Sequence, residues 1–274
     1  MSHGYAVGSA LSGLAAGSFT WSSGYTSDRS KLNDTLQDEI AAGSSSAQAS
    51  GQTLAWDLGS AQALVGVALL GHNLASGACA VKVEGADDSG FSVNLVTAKA
   101  ASTITTTAPN DRDTVLQFPS VTKRYWRLTF THSGTKIIKL GEVLALAAIT
   151  TLSRTKAYGH GETERYLQNR NDSPTGSVRS TLLSGPVRTK RIPFKEMAGT
   201  AQRDELLSMW RACLGGVLPL LWIETIESSA SAATSAGMEC LWTKMNASID
   251  WTESDFTIYD VSAFELMGQG REVI

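Results

Sequence analysis

The chain has 274 residues, 42% hydrophobic and 18% charged, a globular balance that argues against a disordered chain. Lys and Arg number 23 against 26 Asp and Glu, for a net charge of −3, so the basic excess that phosphate-backbone binding needs is missing and nucleic-acid recognition is not expected. The three cysteines, Cys79, Cys213 and Cys240, are odd in number, far apart and without a CxxC; this argues against a disulfide framework or thiolate metal site and predicts small buried hydrophobes.

At roughly 100–200 residues per domain, the length predicts two domains. The N-terminal stretch lacks a basic segment, and glycine and serine interrupt its apolar residues, so no signal peptide is expected. The longest apolar run, residues 143–149, falls far short of the ~20 residues of a membrane span. A product made in the cytoplasm is the expectation.

Residues 1–50 are rich in Gly, Ala and Ser, which predicts extended or loop structure with one helical turn over 32–40. From Thr53 the pattern changes. Residues 53–58 read as a strand ending at Gly59-Ser60, and 65–70 as an apolar strand ending at Gly71-His72-Asn73. Over 80–84, Val81 and Val83 share one face and Lys82 and Glu84 the other, the period of a half-buried strand. Asp87-Asp88-Ser89-Gly90 reads as a turn, although paired carboxylates also suit a hard cation; Asp111-Arg112-Asp113 carries the same two readings. Residues 93–96 and 114–118 are further strands, and 125–131 sets Tyr125, Arg127 and Thr129 against Trp126, Leu128 and Phe130. Residues 139–149 close the half. Short strands at near-regular spacing predict a β-sandwich. Apolar density drops near Thr150, which predicts domains of 1–150 and 151–274.

Residues 152–192 are polar and basic. Residues 169–174 read as a loop, and 178–183 and 187–194 as strands. Residues 200–214 read as an amphipathic helix, with Thr200 as N-cap and Asp204 and Glu205 near the positive end of the dipole. Its predicted buried face is Leu206, Leu207, Trp210, Cys213 and Leu214, and Gly215-Gly216 supplies the stop. Residues 217–223, 238–245, 247–252 and 256–264 read as strands, with a Ser/Ala-rich loop over 227–237. The prediction is a mostly β chain: a β-sandwich, then an α+β half with one helix.

There is no GxSxG elbow, Walker A loop, HExxH or EF-hand loop. His3, His72, His132 and His160 are off ligand spacing, so neither metal nor cofactor is expected. Glu162 and Glu164 read as a solvated face, and no carboxylate pair stands out for glycan hydrolysis, so no enzyme is expected. Arg179, Arg188, Lys190 and Arg191 cluster in the sequence. They suit contact with acidic neighbouring subunits or a solvated strand edge that discourages pairing; both stay open. Trp56 and Trp126 are core candidates. Trp21 and Tyr25, in a Gly/Ser-rich segment, are the exposed aromatics placed to stack on a sugar ring.

Two stretches resemble known families. Thr53-Leu54-Ala55-Trp56-Asp57-Leu58-Gly59, followed by an apolar strand ending at Gly71-His72-Asn73, is similar to the opening of discoidin-type, galactose-binding-like jelly rolls, with Trp56 directly before Asp57 as a departure in spacing. Tyr125-Trp126-Arg127-Leu128 and Lys139-Leu140-Gly141-Glu142-Val143 resemble later strands of that family. The resemblance covers about residues 20–148 and carries scaffold rather than binding residues. The second half is similar to split-barrel domains of phage tail proteins, in the order of a charged strand (188–194), a helix with a Trp (204–214) and a Pro-containing strand after Gly215-Gly216. Together they imply a siphophage-type distal tail or tail-tip (baseplate) protein. It would form a homo-oligomeric ring around the tail channel in the virion tail, contact tail tube, hub or fibre proteins, and display a jelly roll that contacts host glycans or other tail proteins. The alternative is a carbohydrate-binding module acting in host adsorption without a ring.

Overall fold

The computed structural model describes residues 2–7, 11–12, 19–22, 32, 41–42, 48–104, 113–153, 161–172, 178–215, 217–226, 237–245, 251–255 and 258–268. In chain order the first half contains β1 (Ser2–Val7), β2 (Leu11–Ser12), β3 (Phe19–Trp21), β4 (Ala41–Ala42), β5 (Gln48–Ala49), β6 (Gln52–Leu70), β7 (Ala80–Ala86), β8 (Val96–Thr103), β9 (Thr114–Thr131), β10 (Thr135–Lys136), β11 (Lys139–Leu140) and β12 (Glu142–Leu146). The second contains β13 (Thr150–Thr151), β14 (Gly161–Asp172), β15 (Val178–Ala198), α1 (Gly199–Ala212), β16 (Leu220–Ile226), β17 (Met238–Met245), β18 (Trp251–Asp255) and β19 (Ile258–Gly268). The protein is mostly β with one helix among the described residues.

The spine of the first half is the antiparallel pair β6 and β9, running from Gln52↔Phe130 to Leu69↔Thr114. Its register breaks between Asp57 and Gln62, where Gly59 takes a φ of 77°, a conformation glycine adopts without steric cost. The sequence reads two strands on each side of this spine. The structure joins them, because the partner strand continues past the bend and holds the backbone bonds across it. One arm of the ribbon carries β3 and β7, with β8 beyond β7; the other carries β12, with β2 beyond it. The two layers enclose one core. Trp56, Val81, Val83, Trp126 and Phe130 come from the first, and Leu64, Val67, Leu69, Leu116, Phe118 and Val143 from the second. Trp126 stacks on Phe118 at 5.7 Å and its indole N–H donates to the Lys123 carbonyl at 3.1 Å. Trp56 and Trp126 are core residues, as the sequence predicts.

The halves share one continuous sheet. β1 pairs with β13 and with β16, from Ser2↔Ile226 to Val7↔Leu220. The jelly roll thus lies between two strands, β1 and β13, that are themselves hydrogen-bonded neighbours. On the other side β17 pairs with β9 through Met238↔Val115 and Glu239↔Thr114. A separate apolar cluster, including Ala68, Leu70, Val115, Leu144, Leu221, Ile223 and Cys240, fills the seam.

In the second half β14 and β15 form a long hairpin. β15 gains β19 as its other neighbour only from Thr189 onward. Residues 178–188 therefore pair with β14 alone among the described residues, forming a two-stranded arm that reaches on the order of 30 Å at ~3.3 Å per residue. Residues 169–172, read as loop, are strand here, paired from Asn169↔Thr181 to Asp172↔Val178.

Helix α1 packs Leu206 and Met209, and Cys213 just past its end, against Tyr5, Phe194, Trp222 and Leu241. The spacing i, i+3, i+7 replaces the predicted face: Met209 is buried, Trp210 is half-buried, and Leu214 is 62% exposed. Leu214 has already left the helix, with φ of 50° followed by 63° at Gly215, and the Gly215 N–H closes on the Trp210 carbonyl at 3.1 Å. Thr200 lies within the first turn, which carries no acidic residue. Glu205 instead accepts from the Ser153 N–H and hydroxyl at 3.0 and 2.8 Å. Residues 93–95, read as strand, form a loop before β8, and the helical turn expected over 32–40 lies outside the described residues except for Leu32, which is buried. Among the described residues no helix is long and apolar enough to cross a membrane.

Candidate functional site

The residues singled out in the sequence do not converge. Trp21 is only 6% exposed. It pairs through β3 with Leu54, and its ring lies 6.0 Å from that of Phe130. This corrects the expectation of an exposed stacking surface: alternation along β3 turns Phe19 and Trp21 into the core and Thr20 outward. Tyr25 lies outside the described residues. Arg179 and Arg188 sit on the two-stranded arm, in register with Asn171 and Glu164. Arg191 is exposed.

Lys190 is also corrected, from a surface contact to an internal one. It is 7% exposed. Its ammonium bonds to the Glu224 carboxylate and stands 3.5 Å from Glu162 and 3.6 Å from Glu239. Four strands, β14 to β17, meet at this cation. Glu162, read as a solvated residue, belongs to the same group. Beside it the backbone carbonyl of Glu224 bonds Nδ1 of His3 at 2.6 Å, and His3 stacks on Trp222 at 5.7 Å.

The bend end of the jelly roll is a belt of ion pairs. Arg124 donates twice to Asp57, at 2.8 and 2.9 Å, and these bonds hold the Asp57 carboxyl below the ordinary range. Lys123 donates to Asp87 at 2.9 Å, opposite Asn94 at 2.8 Å. Asp88 accepts from the Val93 and Ser92 N–H groups at 2.7 and 2.9 Å. Both aspartates titrate below their usual values, Asp87 through Asn94 and then Lys123, Asp88 through Val93 and then Ser92. Asp87-Asp88 is therefore a turn whose side chains bond its own backbone and neighbours. Glu84, placed on the outer face by alternation, is only 3% exposed. Burial pushes its carboxyl up, but Lys82 at 2.7 Å and Arg127 at 2.8 Å outweigh it and hold it below the ordinary range. Arg127 also lies 4.4 Å over the Phe91 ring. This belt is scaffold: each of these charged groups is held by an ion pair or by hydrogen bonds.

A concave feature lies at the other end, between the loop that follows β6 and the segment around β10. A recess of ≈ 260 Å³ is lined by residues 73, 76, 77 and 79 on one side and 136–138 on the other. Its walls are fixed by short bonds. The Asn73 amide donates to the Ile137 carbonyl and accepts from the Lys139 N–H, both at 2.9 Å. The Gly77 N–H and Ser76 hydroxyl donate to the Asn73 carbonyl at 3.1 Å each. Behind the loop, the Leu74 N–H donates to Nδ1 of His72 at 3.3 Å. The His72 proton thus sits on Nε2, facing Thr114 Oγ1 at 3.2 Å. Asp113, 1% exposed, accepts from the Gly71 N–H at 2.9 Å. Across the recess the Lys136 ammonium donates to the Gly77 carbonyl. Gly71-His72-Asn73 was legible as a strand stop; its meeting with Lys136 arises from a long-range contact that local pattern does not encode. Among the described residues no three His, Cys, Asp or Glu side chains converge as a metal site.

No protein-family profile matches the chain, and no curated protein matches it. Among solved structures it is similar to a chitosan-binding module of a chitosanase/glucanase from Paenibacillus sp. IK-5, at 20% identity, covering 49% of this chain and 97% of that one, with a TM-score of 0.35. It is similar to a CBM32 module from Clostridium perfringens in complex with GalNAc-β-1,3-galactose, at 12% identity, 49% and 99% coverage and a TM-score of 0.37. A third is a fucolectin from striped bass (Morone saxatilis) serum, at 12% identity, 96% and 94% coverage and a TM-score of 0.38.

Proposed function

We propose that this protein is a non-enzymatic adhesion protein, in which the jelly-roll half binds a carbohydrate and the second half mounts it in a larger assembly. The observation that carries the reading is the insertion. The chain leaves the second half's sheet at β1 and returns to it at β13, the next strand. Both stems of the jelly roll are thereby anchored side by side, as suits a module displayed from a scaffold. The recess at residues 73–79 and 136–138 supplies a concave, prebuilt place for a small polar ligand. The resemblance of residues 20–148 to galactose-binding-like jelly rolls agrees with this. The test is a glycan array probed with the full chain, followed by calorimetry on any hit. Saturable binding that competes with free sugar supports the reading, and no binding across the array overturns it.

A second reading makes the same chain a ring-forming component of a phage tail tip. The two-stranded arm of β14 and β15 favours it. An isolated hairpin is marginally stable in water, and its open edge is a template for strand pairing with a neighbour. Light scattering across a concentration series tests it: a discrete closed oligomer supports a ring, and a monomer at every concentration refutes self-assembly.

A further inference from the structure

Resting on the carbohydrate reading, we infer that the sugar taken at the recess between Asn73 and Lys136 is acidic, a uronate-class residue whose carboxylate is held by the Lys136 ammonium. Among the described residues lining the recess, Lys136 is the one that carries a charge. Among the described residues no carboxylate lines the recess to neutralise it, which makes this wall electropositive. The ammonium now donates to a neutral carbonyl, that of Gly77. A ligand carboxylate in the same position makes a charge-assisted bond, roughly twice as strong as one to a neutral acceptor.

The other polar groups do not compete for that role. The Asn73 amide is committed to the backbone at both its ends, to Ile137 and Lys139. The Ser76 hydroxyl likewise donates to the Asn73 carbonyl. Ile137, half-buried in the wall of the recess, gives an apolar surface against which the C–H face of a pyranose packs. Little ordering is needed on binding. The wall loop is closed by Ala78 N–H to Ala75 O and Cys79 N–H to Leu74 O, both at 2.9 Å. The Lys136 backbone is held by pairing with Gln48 and by the Gln52 amide on its carbonyl at 3.4 Å. Only the lysine side chain has to move, and a preformed site loses less affinity to immobilisation.

The experiment is calorimetric titration of the full chain with trisaccharides of galacturonate, mannuronate and glucuronate, each beside its neutral methyl ester. The expected result is that at least one acid binds, that its ester binds at least about ten-fold more weakly, and that added salt weakens only the acid. Lys136→Gln should bring the acid down to the affinity of its ester, and Lys136→Arg should keep the preference. Thermal melting of both variants confirms the fold, since the β5–β10 pairing is made by backbone. If the ester binds as tightly as the acid, or Lys136→Gln leaves the acid unchanged, the inference falls and the carbohydrate reading stands. If no acid, ester or array glycan binds, both fall. The acid-to-ester comparison uses the unaltered protein and so holds even if a variant misfolds.

Discussion

Replacing Lys190 by methionine isolates the charge at the junction of β14, β15, β16 and β17. The substitution keeps the length and apolar stem of the side chain and removes the ammonium. Glu162, Glu224 and Glu239 then lose the ammonium they share. Removing one partner of a fully buried ion pair costs about 3–5 kcal/mol. The glutamates retain 30%, 16% and 28% of their side-chain exposure, so water screens part of the repulsion and a loss of about 2–3 kcal/mol is expected. Urea unfolding followed by tryptophan fluorescence reads this directly, because Trp222 is buried and stacked on His3, which contacts the Glu224 backbone. Adding Glu224→Gln to the methionine variant should restore part of the loss. A change below about 0.5 kcal/mol, the level of ordinary surface substitutions, would refute the role of Lys190 as an internal counter-ion. It would return the residue to the surface-contact reading, most clearly if the oligomeric state changed instead.

Stability should fall on acidification as Glu84 titrates. Its folded carboxyl lies below the ordinary 4.5, so its contribution is complete above that value and is lost as pH drops through the folded pKa. Glu84→Gln should flatten that part of a pH series of urea midpoints. Gly237→Ala should destabilise the seam between the halves by about 1–3 kcal/mol, because a Cβ there would stand 2.2 Å from Thr114 Cγ2 and 3.2 Å from Leu116 Cδ2; limited proteolysis should show faster cleavage near β17. Native protein should resist iodoacetamide at pH 8. Cys79, Cys213 and Cys240 are all buried and free, and burial pushes the Cys213 thiol up to about 11, so mass spectrometry should find alkylation only after denaturation.

What the sequence revealed followed from local alternation. Val81 and Val83, and Trp126, Leu128 and Phe130, are buried as period two requires. The segment 238–245 is a strand with those bounds. Charge misled the reading where alternation met an ion pair: Glu84 and Lys190 carry charge and are buried, because Lys82 on the same strand and Arg127 on the paired strand neutralise Glu84, and Glu224 on β16 neutralises Lys190. Composition misled it at Trp21, where Gly and Ser neighbours suggested exposure but three residues of strand suffice to turn an indole inward. Glycine misled it at Gly59, a bend inside one strand rather than the end of it. The recess was beyond local pattern altogether, since Asn73 and Lys136 meet only when β6 and β10 are in place. The pairing of β1 with β16 was hidden for the same reason.

That last pairing sets the order in which the protein takes shape. On the ribosome β1 is made before the jelly roll, yet its partners in β13 and β16 emerge only after the whole jelly roll has been synthesised. The jelly roll has its own core and can close while residues 2–7 wait, whereas the second half cannot complete its sheet until Ser2 meets Ile226. Contacts that span so much chain form slowly. The second half is therefore the last part to mature, and a chain arrested before β16 would already carry a finished jelly roll beside an unfinished sheet.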